Sequence, residues 1–404
     1  MRFCTSSRRP VARGGVTRGR LALLLAALVA GLAVTPGGGA LAAFLEQGGQ
    51  TVLEAARPGR NVTAAAAASS GAWEVRAPSG PARQEVSYVQ ANGKLYLAGG
   101  STAHEVYDPA ANAWTPIASL PANLDHIQAV EVGGLVYYVG GLTAWPGPHV
   151  NTVYVYNPAT DAFTQGTPMP SGRGRGAGGV AVYNGKIYVA GGLSNGVAVP
   201  WLDVYDPVAR TWAQLADMPR ARDHFQAAVV AGKLYAIGGR NKDIDATTTA
   251  NDVYDFSTGA WSTGLAPLPT ARGGFAAAAL GSEILVIGGE GGGGTFATVE
   301  AYDTTANTWR TLAPMPTARH GIQAAVCNGG VYVAAGGTLQ GGGGATDAHE
   351  VFFLNGPTPC PAAADTTPPT VSSTAPAAGA TGVAATANAS AVFSEAMSAA
   401  TLTS

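Results

Sequence analysis

Charge is scarce in this sequence. Asp, Glu, Lys and Arg make up 12% of its 404 residues, and only four residues are lysine. Six of the 23 basic residues are arginines within residues 1–20, a stretch without an acid. Beyond residue 42 the balance is 17 basic against 25 acidic residues, a net charge of −8, with no basic cluster. Nucleic acid and anionic membrane are therefore excluded as partners, because both bind through clustered Lys and Arg. Cysteine is scarcer still, with three in all: Cys4, Cys327 and Cys360. No run of His, Cys, Asp and Glu has the spacing of metal ligands, so neither a metal nor another cofactor is expected. The glycine runs Gly291–Gly294 and Gly341–Gly344 lack the Lys-Ser/Thr of a phosphate loop. One long apolar run occurs, Leu21–Val34, too short to span a bilayer comfortably. With arginines before it and Ala40-Leu41-Ala42 after it, residues 1–42 read as a secretory signal peptide. Its removal leaves no membrane-inserting segment and predicts a secreted, extracellular or cell-surface product.

Glycine, by contrast, is abundant at 56 residues and is placed periodically. Residues 224–269 show the unit: HFQAAVVAGKLYAIGG, a polar loop, NDVYDFSTGAW, then STGLAPLP. Four short β-prone runs separated by turns make one small antiparallel sheet. Such a sheet has two apolar faces and cannot bury both alone, so it needs copies of itself. Copies are marked by Gly99-Gly100, Gly140-Gly141, Gly191-Gly192, Gly238-Gly239 and Gly288-Gly289, with Ala335-Gly336 in the same register. After each pair comes a loop of variable length, then a tyrosine followed by an aromatic seven residues on. These are Tyr107 and Trp114, Tyr156 and Phe163, Tyr205 and Trp212, Tyr254 and Trp261, and Tyr302 and Trp309. A fixed spacing behind a variable loop marks a fixed hairpin. Two-residue turns between the first two strands are expected at Asn92-Gly93, Gly133-Gly134, Asn184-Gly185, Ala231-Gly232, Gly281-Ser282 and Asn328-Gly329.

The double glycine, the tyrosine and the tryptophan together resemble the kelch repeat, over roughly residues 71–355. A period near 47 residues with four strands implies a β-propeller blade. The sixth unit ends at Val351-Phe352-Phe353 without its tryptophan strand, and Gly71-Ala72-Trp73 at the other end of the array repeats Gly259-Ala260-Trp261. The expectation is therefore all-β: a six-bladed kelch β-propeller closed by its N-terminal strand, monomeric, over residues 71–355. Residues 43–70 read as an alanine-rich linker with a short helix, and 356–368 as a Pro/Thr-rich linker. Residues 369–404, with Pro368-Pro369-Thr370-Val371 leading in and Phe393-Ser394-Glu395-Ala396-Met397 near the end, resemble the start of a bacterial immunoglobulin-like domain of surface-layer proteins. Such a domain needs about 90–100 residues, so a truncated one is expected here.

In a propeller the loops from strand four to the next strand one, and from strand two to strand three, gather at one mouth. Aligned there, the blades present a near ring of arginines, Arg83, Arg175, Arg222, Arg272 and Arg319, broken by Leu124. The positions that follow supply Asp125, Asp223 and His320, and then Glu85, His126 and His224. Arginine offers bidentate donors to an acidic or hydroxylated ligand, although an arginine repeated in five blades also suits scaffold bonds to loop carbonyls. Trp145 and Trp201 lie outside the blade-packing position, in long loops where an aromatic stacks on a sugar ring or packs across its own loop. Once Cys4 leaves with the signal peptide, Cys327 and Cys360 remain as a disulfide candidate in an oxidising compartment. Both fall at the end of the last blade opposite the mouth.

The leading functional expectation is a non-catalytic recognition module, secreted or surface-associated, that binds a glycan or protein through the mouth. A galactose-oxidase-like copper enzyme is similar in repeat type but requires a cysteine at the mouth, where none falls. A kelch-type sialic-acid (N-acetylneuraminate) epimerase is six-bladed and exported, and it stands as the enzymatic alternative, with Glu85, His126, His224 and His320 as the groups able to move protons. A structural spacer within a longer surface protein is the third.

Overall fold

A computed structural model describes residues 45–47, 50–52, 70–358, 371–377, 380–382, 388 and 390–393. Among these there is no α-helix, and no helix long and apolar enough to cross a membrane. Residues 70–358 form six four-stranded antiparallel sheets. The fourth sheet is typical, with strands Ala227–Val230, Lys233–Ile237, Asn251–Asp255 and Ala260–Ser262 paired in that order. Its second strand buries Leu234, Tyr235, Ala236 and Ile237 all together, not every other residue, because neighbouring blades cover both faces. The inner strands of successive blades contact one another all the way round.

The expected turns have the required backbone. Asn92 and Gly93, Asn184 and Gly185, and Asn328 and Gly329 all take positive φ, as does Ala231 with Gly232. At Gly281-Ser282 only the glycine does, the pattern of a II′ turn. The glycine pair has a separate cause. At the second residue of each pair, the N–H donates to the next blade: Gly141 and Gly192 to the Arg175 and Arg222 carbonyls at 3.0 and 2.9 Å, for example. A Cβ on Gly140 would meet the Arg175 carbonyl oxygen at 2.1 Å. Ala335, which replaces the first glycine in the sixth blade, holds φ +58°, a strained value for a residue with a Cβ.

Each tyrosine sits directly across the ladder from its aromatic partner, as Tyr205 does from Trp212 and Tyr302 from Trp309. Ring centroids lie 4.9–5.4 Å apart in all six blades, in the range where aromatic pairs add about 0.5–1.5 kcal/mol beyond their burial. The indole N–H then crosses to the preceding blade: Trp212 to the Thr167 carbonyl, Trp261 to Ala216 and Trp309 to Ala266, each at 2.8–2.9 Å. The tryptophan thus both fills the space between blades and staples them.

The sixth sheet is completed by residues Ala72–Val75, which pair with His349–Phe353 and place Trp73 opposite Phe352. Trp73 donates to the Ala313 carbonyl of blade five at 2.9 Å, the same staple as in the other blades that carry tryptophan. Outside the propeller Leu45–Gln47 pairs antiparallel with Gln50–Val52, and the rest of the alanine-rich linker up to residue 69, with the short helix expected in it, lies outside the described residues. In the immunoglobulin-like segment Val371–Ala375 pairs antiparallel with Ser390–Phe393. Cys327 is buried and disulfide-bonded. Cys360 and Cys4 lie outside the described residues, as do residues 1–42, expected to be a signal peptide, and most of the Pro/Thr-rich linker. The linker's first residues return to the Asn328-Gly329 turn, where the Thr358 N–H donates to the Asn328 carbonyl at 2.6 Å.

Deleting residues 71–76 should open the ladder edge of His349–Phe353. The expected result is aggregation or a large fall in the denaturation midpoint, and a soluble deletion variant of unchanged midpoint refutes closure by this strand. A second expectation concerns acid. His104 and His349, at matching positions in blades one and six, are buried and neutral: Nδ1 faces the Ala118 or Ala77 carbonyl, and Nε2 accepts from the Tyr138 or Tyr88 hydroxyl. Burial pushes them down to about 4 and about 3, against the pull of those carbonyls. The unfolded chain takes up these protons near pH 6.5 and the folded chain does not. Stability is therefore lost as pH falls from 6.5 toward 4, by up to about 1.4 kcal/mol per pH unit for each histidine. Urea titrations of the His104→Gln, His349→Gln double variant should show a flatter pH dependence in that window than the parent.

Candidate functional site

The arginine ring is scaffold. Arg83, Arg175, Arg222, Arg272 and Arg319 are at most 3% exposed and each pairs with an acid in the third strand of its own blade. Arg83 meets Glu105 at 2.6 Å, Arg175 meets Asp203 at 2.8 Å and Arg222 meets Asp252 at 2.9 Å. Arg272 pairs with Glu300, and Arg319 meets Glu350 at 2.5 Å. Further donors reach strand carbonyls, as from Arg319 to Val333 at 2.9 Å. These side chains are buried and turned to acids of their own blades, away from solvent, which corrects the expectation that they form a binding ring. The signal was in the sequence: the acid stands two residues before the blade aromatic wherever the arginine occurs, and blade two, with Leu124, has Tyr154 there instead. Trp201 is corrected too. It is half-buried, with the Arg173 guanidinium carbon 4.6 Å above its ring, so that face is already covered.

The remaining candidates converge. Glu85, His126 and His224 all hold φ near +50 to +56°, as do Ala177, Gly274 and Gly321 near that range in the other three blades. This turn aims the three long side chains at the axis. His126 Nδ1 is 2.6 Å from Asp125, and His224 Nδ1 is hydrogen-bonded to Asp223. The two Nε2 atoms then face each other at 3.0 Å, and Glu85 Oε2 lies 3.3 Å from the Nε2 of His126. His320 stands behind, with Nδ1 3.5 Å from Glu85 and Nε2 donating to the Leu339 carbonyl at 2.9 Å.

The environment separates these groups. Burial alone would lower His126, but the Glu85 and Asp125 carboxylates outweigh it and hold the imidazole above its ordinary value. Burial and the Arg240 guanidinium depress His224 despite Asp223. Burial opposes ionisation of Glu85, yet His126 and His320 keep it well below the usual carboxylate range. His320 is raised, because its contact with Glu85 exceeds the cost of burial.

Two residues outside the expected set belong here. Arg240 donates to Glu290 at 2.6 Å and contacts His224 Nε2 at 2.8 Å, and the second Glu290 oxygen accepts from the Gly341 N–H at 2.7 Å. Each is the residue immediately after a glycine pair, and each bridges back to the mouth ring: Arg240 to Asp223 and Glu290 to Gly273. Aligning that position across the blades, where Ser101, Leu142, Leu193 and Gly337 stand elsewhere, would have singled them out. Above the cluster opens a cavity of about 630 Å³, lined by Glu85, Asp125, His126, Trp145, Arg240, Lys242 and Glu290 among others. Trp145, 48% exposed, stacks on His126 at 5.2 Å between centroids and roofs one side of it.

Six blades about an axis, with a polar mouth and a ring closed by the N-terminal strand, define a β-propeller. The chain belongs to the kelch-repeat propellers, followed by a bacterial immunoglobulin-like segment. The KLHDC2/KLHL20/DRC7 Kelch-repeats domain matches residues 215–358, the Kelch motif matches 126–170 and 174–219, and the Bacterial Ig-like domain matches 365–404. Similar proteins include Kelch-like protein terF of Aspergillus terreus, 33% identical over 58% of this chain and 54% of that one. Alpha-scruin of Limulus polyphemus is 30% identical over 43% of this chain and 20% of its own length, and human Kelch-like protein 23 is 26% identical over 63% and 46%. The chain thus spans about half or less of these relatives. The solved structure described as "Structure of YjhT" superposes with a TM-score of 0.60 at 19% identity, over 69% of this chain and 97% of that one. It shows the fold alone.

Because Glu350 is buried beside Arg319, Arg319→Ala should leave an uncompensated carboxylate and cost about 3–5 kcal/mol in denaturant unfolding. Arg319→Met with Glu350→Gln should cost much less. Equal losses in the two variants would show that the charge pair is not the reason for the cost.

Proposed function

We propose that this chain is an exported, non-catalytic recognition module that takes a glycan terminus, or an exposed segment of a protein partner, into the mouth of the propeller. The observation that carries the reading is the cavity of about 630 Å³ with Trp145 exposed over a polar floor. An indole face offers apolar stacking to a sugar ring, and Asp125, with 29% of its side chain exposed, offers carboxylate oxygens to hydroxyls. The kelch relationship supports a partner of some kind, since kelch propellers are in general interaction modules. Export rests on residues 1–42 and on the immunoglobulin-like match, and the mature net charge of −8 supports partners other than nucleic acid. The second reading, a sugar epimerase of the N-acetylneuraminate type, is favoured by one feature: the two imidazole Nε2 atoms and Glu85 meet at one point beneath the cavity, as proton donors and acceptors must.

A glycan array probed with the full chain and with Trp145→Ala tests the first reading. The variant should lose about 2 kcal/mol, roughly thirtyfold in affinity, for any ligand held at the mouth. Binding that survives unaltered moves the site elsewhere. Turnover of N-acetylneuraminate anomers, followed by proton NMR and abolished by Glu85→Gln, would replace the first reading with the second.

A further inference from the structure

Beneath the mouth cavity the six loops that enter the blades converge on the axis. Three of them end in Ala177, Gly274 and Gly321, and the other three in Glu85, His126 and His224. The small residues make the space. A Cβ on Gly321 would lie 2.7 Å from Glu85 Oε1. The donor atoms of Glu85, His126 and His224 all lie within 4.8 Å of one another. We propose that these three residues bind a single divalent transition-metal ion, zinc by donor type, at the floor of the mouth.

Geometry is the first support. Ligands about 2.0–2.2 Å from a tetrahedral ion stand about 3.3–3.5 Å from each other. His126 Nε2 lies 3.0 Å from His224 Nε2 and 3.3 Å from Glu85 Oε2, so small side-chain adjustments accommodate an ion. Orientation is the second. Both histidines present Nε2 to the centre because Asp125 and Asp223 hold Nδ1, which is the carboxylate–histidine arrangement that fixes the ligating tautomer. Asp223 is itself held, accepting from the Lys242 N–H at 2.7 Å. Charge is the third. The two Nε2 atoms lie 3.0 Å apart, the distance of an N–H···N hydrogen bond, and an ion would take the place of the proton that joins them. The carboxylates of Glu85, Asp125, Asp223 and Glu290 surround them against the one guanidinium of Arg240. Arg240 contacts His224 Nε2 at 2.8 Å, so the ion displaces that one bond while the guanidinium keeps Glu290 at 2.6 Å. Access is the fourth. Glu85 and His126 also line the mouth cavity, so the fourth position faces solvent and a ligand entering there reaches it. Imidazole with carboxylate suits zinc over calcium or magnesium.

The untagged full chain, stripped with chelator and dialysed, is titrated with Zn²⁺ by calorimetry and with Co²⁺ by visible absorption. The expected result is one ion per chain, d–d bands from four- or five-coordinate Co²⁺, and a higher denaturation midpoint with Zn²⁺. His224→Ala and the near-isosteric Glu85→Gln should each abolish the Co²⁺ bands. Asp125→Asn should weaken the ion by about 10–100-fold. His149→Ala, in the blade-two loop, should leave binding unchanged. Denaturation midpoints in chelator identify variants that are folded, and Glu85→Gln keeps the test valid should His224→Ala fail to fold. The proposal is overturned by the absence of Co²⁺ bands and Zn²⁺ uptake in the parent, or by uptake that persists in folded Glu85→Gln. Ion alone is the probe, so a blank glycan array with one bound ion removes the glycan reading and leaves this one, and the reverse result does the opposite.

Discussion

The structure depends on a closed chain of backbone hydrogen bonds about the propeller axis. The His126 N–H donates to Glu85, Ala177 to His126, His224 to Ala177, Gly274 to His224 and Gly321 to Gly274, and the Val86 N–H closes the circuit on Gly321, all at 2.8–3.1 Å. A second circuit lies outside it, from the second residue of each glycine pair to the arginine, or Leu124, of the next blade. A single blade leaves these donors and acceptors without partners in a place where water has little room. The circuits are complete only when every blade is in position, which ties the N-terminal strand to the last blade: Gly336 donates to the Arg83 carbonyl just as Gly141 does to that of Arg175.

The arginines follow from the same constraint. They sit where neighbouring loops crowd the blade edge, buried away from water, so each brings its own counter-charge and sends further N–H groups to backbone carbonyls. Blade two shows the rule by its exception. With Leu124 in place of arginine, Tyr154 replaces the acid, and the position is filled by apolar packing around Leu124 and Ile127.

Function is then left to positions the circuits do not specify. The turn of positive φ at the axis demands a backbone shape and fixes the direction of the side chain but not its identity. Three blades use that freedom for Ala or Gly. Blades one, two and four place Glu85, His126 and His224 there, and the residue after the glycine pair adds Arg240 and Glu290. A repeat scaffold thus carries an asymmetric site without disturbing its own symmetry. Trp145, from the loop between the second and third strands of blade two, completes the roof.

Fold, blade count and closure were legible in the sequence, because each rests on local chemistry repeated at a fixed period. Glycine marks positive φ and close backbone approach, Asn-Gly marks the tight hairpin, and tyrosine seven residues before tryptophan marks a register that Trp73 and Phe352 share across the two ends of the array. The Asp-His pairs and Glu85 were also legible as mouth residues, by alignment of blades. Tertiary structure alone decided that the arginines face inward to acids and not outward to a ligand, since an ion pair across one blade leaves the same residues in the alignment as a binding ring would. It also decided that Glu85, His126 and His224, 41 and 98 residues apart along the chain, meet within 4.8 Å. Their meeting depends on the closure of six blades about one axis, and no local pattern in the chain encodes that distance.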